Sequence, residues 1–592
     1  MRRVAITACC LVASVAALGA EPITTSNVAA LDVLWTYDTG DATEALAPGG
    51  DPPAFEATPV FKDGVLYLST PMGTVAALDA DSGKELWKID LEIRRDTDYS
   101  DFANRGPTVH GEHVYVGTVD GRLACLVRKT GKFCAQFGDA GQINLARGLR
   151  HAPQWHGEYG VTSPPAAYRD VIIVGASVAD NSRAQMSSGE VRAFDANTGA
   201  LRWTFHPLPE DSPAGGANAW SRIVVDEGNG LVFIPTGSPS PDYFGGLRPG
   251  ANADANSMIV LKAATGERVW SFQTIHHDLW DYDVASPALL YPGANGPAVA
   301  VGSKSGHVFL LDRLSGKPLF PVIEKPVPAS DVPGETAFAT QPFPTKPQSL
   351  VPQQITGADI WGATPEELES CRATFRSLRN EGVFTPPSLQ GTLNVPGNIG
   401  GLHWGGLAWD PAHRLLIAPV NRFPAIIRLI PQAQFDAAKK EFPARETTEQ
   451  DDTPFAMSRE FFRSPQGNPC VAPPWGELVA IQADTGDIAW RVTLGDLSPA
   501  PGTGPATGSP NLGGVATTDT GLAFVGATLD GYFRAFDTAS GKEVWKAKLP
   551  TGARATPLIF KTAKHEMIAI AAGGHSNKLS VPGTKLIVFG LR

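Results

Sequence analysis

The sequence predicts an all-β protein built as an eight-bladed β-propeller, and three observations predict it. One short phrase keeps returning: "LDADSGKELW" ending at Trp87, "FDANTGALRW" at Trp203, "LKAATGERVW" at Trp270, "IQADTGDIAW" at Trp490 and "FDTASGKEVW" at Trp545, with weaker copies "LVRKTGKFC" at Cys134 and "LDRLSGKPLF" at Phe320. Alternating strands such as "GVLYLST", "EHVYVGT", "DVIIVGAS", "GLVFIPTG" and "GLAFVGAT" precede these phrases. Finally, 62 Gly and 50 Pro in 592 residues exceed what long helices tolerate, whereas tight turns between short strands use both freely.

Each phrase reads as a strand, a tight turn with glycine where φ must be positive, and a second strand carrying an aromatic. With the strand before it, the phrase makes a meander, and a meander repeated around a ring protects its strand edges. The phrase glycines fall at positions 83, 131, 199, 266, 316, 486 and 541. The long gap after Gly316 is expected to hold a degenerate eighth copy in "GGLAWDPAHRLLIAPV" (405–420). Blades of about 40–50 residues leave chain over for loops. The helix-like windows "TPEELESCRATFRSLRNEG" and "PQAQFDAAKKEF" lie in the same gap, so loop and helical insertions are expected at about 325–400 and 425–470 of a single domain spanning 21–592. The recurring Trp is expected to seal blade against blade rather than to react.

A net charge of −11 without a long Lys/Arg run argues against nucleic acid as partner, since phosphate contacts need clustered positive charge. The first twenty residues, "MRRVAITACCLVASVAALGA", place two arginines before an apolar run and then small residues, the pattern of a cleaved signal peptide. A lipid-attachment box at Cys9 is the competing reading, but few residues precede it. No other apolar run approaches the ~18–20 residues that span a bilayer. A periplasmic protein with no membrane span is therefore expected. Four cysteines remain beyond the leader, and pairing of Cys125 with Cys134 and of Cys371 with Cys470 is chosen among three connectivities. No C-x-x-C-H is present, so no covalent c-type haem is expected.

The stretch "TIHHDLWDYDVASPALL", starting at Thr274, crowds two histidines, three aspartates and a tryptophan together. Such a cluster repels itself unless solvent dilutes it or a cation, a partner or a reaction uses it.

The Thr-Gly-x-x-x-Trp repeat together with "HHDLWDYD" resembles the quinoprotein alcohol dehydrogenases, eight-bladed propellers that hold pyrroloquinoline quinone (PQQ) over a calcium ion. Within them it is most similar to the glucose/quinate dehydrogenase branch. "FEATPV", "YGVTSPP", "SVADNSRAQMSSGEVRAFDANTG", "SKSGHVFLLDR", "GADIWGAT", "EGVFTPPSLQGTLNVPGN" and "AAGGHSNK" carry the resemblance across the chain.

The resemblance implies Asp281 of "LWDYD" as the catalytic aspartate, and Asp180 and Asn181 of "VADNS", with Asp281, as ligands of Ca²⁺ or Mg²⁺; hard oxygen donors suit such ions. It implies Lys304 and Arg105 as the cations, and Glu56, Thr162 and His403 as further groups, that hold PQQ, with Trp220 as the platform under its ring. His110 is implied toward substrate. Asp278 and Asp283 are expected to support the site, and His276 and His277 to bond loops rather than metal. The adjacent cysteine pair of many members is missing here. Membrane glucose dehydrogenases begin with several transmembrane helices, whereas only a cleavable leader is read here, so an external acceptor such as a periplasmic cytochrome c is implied. The implied activity is oxidation of a hydroxyl on a sugar, cyclic polyol or bulky secondary ring alcohol to a carbonyl. The alternative is a non-catalytic PQQ-like-repeat propeller that scaffolds outer-membrane assembly, which needs no converging Asp, Lys and Arg.

Overall fold

In the computed structural model the described residues are 20–47, 50–443, 445–498, 505–574 and 580–592. The leader, Cys9 included, and the "HSNK" of "AAGGHSNK" lie outside them.

Eight antiparallel sheets follow one another along the described chain: I (60–90), II (108–144), III (166–205), IV (224–273), V (289–312), VI (408–421 with 476–493), VII (515–548) and VIII (558–591). Sheet V has three strands and the rest have four. Sheet VIII takes its fourth strand from the other end of the chain: Leu31–Asp38 pairs antiparallel with Lys585–Leu591. One apolar cluster then runs from Leu522 and Phe533 of sheet VII through Ile568 and Val588 of sheet VIII to Leu66 and Leu78 of sheet I, so the last sheets pack on the first. The fold is an all-β propeller type.

The repeated phrase explains how neighbouring sheets meet. The indole Nε1 of Trp35 donates to the Ala80 carbonyl at 3.2 Å, Trp87 to Arg128 at 2.9 Å, Trp203 to Ala263 at 3.1 Å, Trp270 to Arg313 at 3.1 Å and Trp490 to Thr538 at 2.8 Å, in each case reaching the next sheet. The phrase glycine of that next sheet lies on the indole face: a Cβ on Gly83 would come within 2.4 Å of Trp35, and one on Gly541 within 2.8 Å of Trp490. These glycines therefore serve two purposes, a positive φ (70° at Gly83) and a seat for the ring. Sheet II lacks the Trp and carries the Cys125–Cys134 disulfide at that place.

The segment 405–420 is not an eighth copy. It supplies the first two strands of sheet VI, and Leu415–Asn421 pairs with Gly476–Gln482, which leads into the Trp490 phrase. The phrase of sheet VIII is hidden because the chain ends cut it. Its inner part is "KLIVFGL" and its aromatic, Trp35, lies in "LDVLWTYD" near the start.

Two long insertions separate these strands. Between sheets V and VI lie a hairpin (Val322–Pro326 with Thr340–Pro344), helix α1 (Pro365–Ser377) and strand Thr392–Asn394. Thr364 caps α1 through its side chain, with Pro365 in the first turn where no N–H is needed. Within sheet VI, between its second and third strands, come Ala425–Pro431, helix α2 (Phe435–Glu441), Glu446–Thr448 and Phe455–Phe461. These strands and Thr392–Asn394 form an extra four-stranded sheet. The Cys371–Cys470 disulfide ties α1 to the segment that follows Phe455–Phe461 of the extra sheet. Among the described residues, no helix is long and apolar enough to cross a membrane.

Candidate active site

In an up-and-down sheet the connection into the first strand and the one joining the second to the third emerge at the same end; the other two turns lie opposite. Most of the predicted site residues occupy connections of the first kind. Glu56, Arg105, Thr162, Trp220, Asp281 and His403 sit in the lead-in connections of sheets I to VI, while Asp180, Asn181 and Lys304 sit between second and third strands of sheets III and V. Both insertions also fall in connections of this kind. His110 does not. It closes the turn between the first two strands of sheet II, opposite His113, and its Nε2 meets the Arg169 carbonyl at 2.5 Å. It lines the far side of a channel of about 880 Å³ and has no contact with Asp281.

The acidic stretch divides its labour. Asp278 is fully buried and accepts from the Tyr282 N–H at 2.9 Å, the Trp280 N–H at 3.1 Å and the Asn256 amide at 3.1 Å, with the Ser238 hydroxyl close by, so it shapes the loop. His277 bonds Gly250 and Glu335 at 2.8 and 3.0 Å, and His276 bonds Gln273 and Glu324 at 2.6 and 3.2 Å. Trp280 and Tyr282 anchor the turn from either side: the indole donates to the Thr385 carbonyl at 2.8 Å and the phenol to the Pro396 carbonyl at 2.8 Å. Between them Asp281 adopts φ 59°, an uncommon conformation for a residue with a side chain.

Asp281 faces a charged cluster. Lys304 Nζ lies 2.5 Å from Asp281 Oδ1 and 2.8 Å from Asp283 Oδ2. Asp283 also accepts from the Ser238 N–H at 2.8 Å and the Trp220 indole at 3.2 Å. Asp281 Oδ2 is 3.3 Å from Arg459 Nη1 and 3.5 Å from the Tyr243 hydroxyl. Asn181 Nδ2 donates to Asp242 Oδ2 at 2.6 Å. Burial, then the Lys304 charge partly offsetting it, leaves the Asp281 carboxyl well above the ordinary carboxylate range. Burial and the Asp283 charge push Asp180 up to about 7, and burial with Asp180, Asp281 and Asp283 pushes Asp242 well up. Burial would raise Asp283 too, but Lys304 and the Ser238 donors outweigh it and hold it low.

Four carboxylates packed so tightly favour a bound cation. Asn181 Oδ1 and Asp242 Oδ1 are buried without a hydrogen-bond partner, as free ligand oxygens for a hard cation would be. The donor set thus fits a divalent ion.

A second group completes the pocket. Arg105 bonds Glu56 at 2.9 Å and the Thr162 hydroxyl at 2.7 Å, and its guanidinium lies 5.2 Å from the Trp220 ring centroid and 4.9 Å from that of Trp404. Lys304 Nζ is 5.6 Å from the same Trp220 ring. Two cations beside one indole suit a flat, multiply anionic ligand. Arg554 holds the other oxygen of Glu56 at 2.7 Å. Burial lowers His403 to about 4, so its ring is neutral, with Nδ1 accepting the Gly405 N–H at 3.2 Å.

The sequence reading missed Asp242, Tyr243, Arg459, Trp404 and Arg554. Asp242 had a usable signal, an acid between second and third strands of a Trp repeat. Arg459, in "SREFF", had none.

The family model for the glucose/ethanol/alcohol dehydrogenase β-propeller domain that uses PQQ matches residues 18–568. This chain belongs to the PQQ-dependent quinoprotein dehydrogenases. It is 36% identical to the quinate/shikimate dehydrogenase (quinone) of Acinetobacter baylyi over 94% of this chain and 74% of that protein. To the quinoprotein glucose dehydrogenase of Escherichia coli it is 34% identical over 96% of this chain and 76% of that protein. In fold it is similar to the quinohemoprotein alcohol dehydrogenase of Comamonas testosteroni, with TM-score 0.69 and 23% identity over 96% of this chain and 78% of that one. Membership makes it a PQQ-dependent oxidoreductase, and the scaffold alternative is set aside.

Proposed function

We propose that this quinoprotein is a periplasmic, calcium-dependent dehydrogenase that oxidises a hydroxyl of a sugar, cyclic polyol or bulky secondary ring alcohol, and that sheets I to VIII are its eight blades. The observation that carries the reading is the convergence of Asp281, Lys304, Asp180, Asn181 and Asp242 from three different sheets on one buried cluster.

Asp180, Asn181 and Asp281 would hold the metal, joined by Asp242; calcium is the first choice and magnesium the second. Lys304, Arg105, Glu56, Thr162 and His403 would hold PQQ, with Trp220 against its ring. When bound, PQQ supplies an electrophilic carbonyl that takes two electrons from the substrate. With the divalent ion's charge beside it favouring its ionised form, Asp281 would accept the alcohol proton as the carbinol hydrogen leaves with its electron pair. Lys304 keeps Asp281 oriented and limits its repulsion with Asp283. Nothing in the geometry assigns His110 to substrate, since its ring is bonded at the opposite end. Export by the leader and transfer of electrons to an external acceptor such as cytochrome c complete the reading.

Dye reduction by protein supplied with PQQ and Ca²⁺ over a panel of sugars, quinate-like polyols and hindered secondary alcohols tests it. At least one ring alcohol should bleach the dye. Asp281→Asn should retain PQQ yet lose at least ~10²-fold in turnover, and unaltered dye reduction by that variant would remove Asp281 from the reaction.

A further inference from the structure

Arg459 belongs to no motif of the sequence, yet it touches the carboxylate on which the proposed reaction turns. It lies on Phe455–Phe461 of the extra sheet, within the connection between second and third strands of sheet VI. That connection emerges at the site end. The guanidinium is used on three sides: Nε meets Glu446 Oε2 at 2.9 Å, Nη2 meets Glu446 Oε1 at 2.5 Å, and Nη1 donates to the Tyr243 hydroxyl at 2.9 Å and faces Asp281 Oδ2 at 3.3 Å.

Lys304 alone would leave Asp281 with a freedom. Its ammonium is a point charge on one oxygen, Oδ1, about which the carboxylate can still turn. One N–H of a fixed guanidinium, from Nη1 to the second oxygen, removes that turn. The group is itself fixed by two parallel bonds to Glu446, the geometry in which a guanidinium is most strictly oriented. We infer that Arg459 is a positioning residue for Asp281: Glu446 on the neighbouring strand sets the guanidinium plane, and the guanidinium sets the carboxylate. This rests on the reading of Asp281 as proton acceptor.

Arg459 also lines a pocket of about 300 Å³ with Asp98, Trp155, Asp180 and Glu446, so a role in holding substrate is the rival. Four of its five N–H donors already go to Glu446, Tyr243 and Asp281, which favours positioning. A misplaced base slows the chemical step without weakening substrate binding.

The test compares Arg459→Gln, Arg459→Lys and Glu446→Gln with the parent, each reconstituted with PQQ and Ca²⁺ and normalised to PQQ bound. Arg459→Gln should lose about 10- to 100-fold in kcat with KM changed less than about threefold, and the primary isotope effect from substrate deuterated at the carbinol carbon should rise. Arg459→Lys should recover part of the loss, and Glu446→Gln, which keeps the arginine but loosens its fork, should show a smaller one. A merely structural role would lower the amount of PQQ bound and the melting temperature while leaving the isotope effect where it was, and that result overturns the inference. A rise in KM at constant kcat also overturns it, because it would make Arg459 a substrate contact. If Arg459→Gln does not fold, the other two variants decide on the same readouts. Asp281→Asn, run alongside, separates the two levels: its full activity would sink the reading of Asp281, whereas its inactivity beside a fully active Arg459→Gln would sink only the positioning role.

Discussion

Asp281 is held by backbone and by charge together. Its positive φ is fixed by the anchored rings of Trp280 and Tyr282, and its oxygens by Lys304 and Arg459. Lys304 serves two carboxylates at once, so Lys304→Met should be severe: with Asp281 and Asp283 left facing each other, turnover is expected to fall by roughly 10²-fold, measured as dye reduction per PQQ bound. Away from the site, His307 is a neutral imidazole among Phe309, Phe343 and Phe384. Burial lowers it from 6.5 to about 4. The unfolded chain therefore takes up this proton below about pH 6.5 while the native one refuses it, and stability is lost as pH falls toward 4. The loss is about 3 kcal/mol by pH 4. Urea midpoints between pH 7 and 4.5 should fall more steeply for the parent than for His307→Gln; parallel slopes would refute this. The resemblance of whole phrases to the family already pointed to much of the cluster, since Asp180, Asn181, Asp281 and Lys304 stand in the phrases that carry it, whereas their residue types alone did not. Arg459 was illegible because an arginine in a short strand usually means a solvated edge, and only the fold brings it to Asp281.

At the scale of the element, the repeated phrase is a device for joining sheets. Its glycine supplies both the turn and the face on which the preceding Trp lies, and these two demands can be separated. Gly83 has φ 70° and the Trp35 ring where a Cβ would go, whereas Gly64 has φ 78° and open space around it. Gly64→Ala should cost only the left-handed backbone, ~1–2 kcal/mol. Gly83→Ala adds overpacking and should cost ~2–4 kcal/mol. Denaturant midpoints of the two variants check the difference, and equal losses would mean that the Trp seat contributes nothing. The phrase was plain in the sequence because turn chemistry is local. The eighth unit was misplaced because its aromatic, Trp35, is separated from the rest of its sheet by almost the whole chain, a relation that periodicity cannot reveal.

For the whole molecule, the pairing of Leu31–Asp38 with Lys585–Leu591 decides whether the row of sheets returns on itself. Sheet VIII without that strand would expose Val588 and Phe589 and lose the Trp35 contact with Ala80 and Gly83. Deletion through residue 38 is expected to abolish folded protein, while a circular permutant that carries 21–45 after residue 592 should fold and bind PQQ, since the strand's place rather than its order matters. Circular dichroism and PQQ titration distinguish these outcomes. Fold and site are linked, because sheets I to VI and sheet VIII deliver the residues of the site from the same end. The most direct measurement is therefore a PQQ titration of chelator-treated protein, followed by absorbance and dye reduction, with and without added Ca²⁺. One PQQ should bind productively per chain only when the divalent ion is present, and Asp180→Asn with Asn181→Ala should remove that requirement's benefit. Full activity in the presence of chelator, indifferent to both substitutions, would contradict the account.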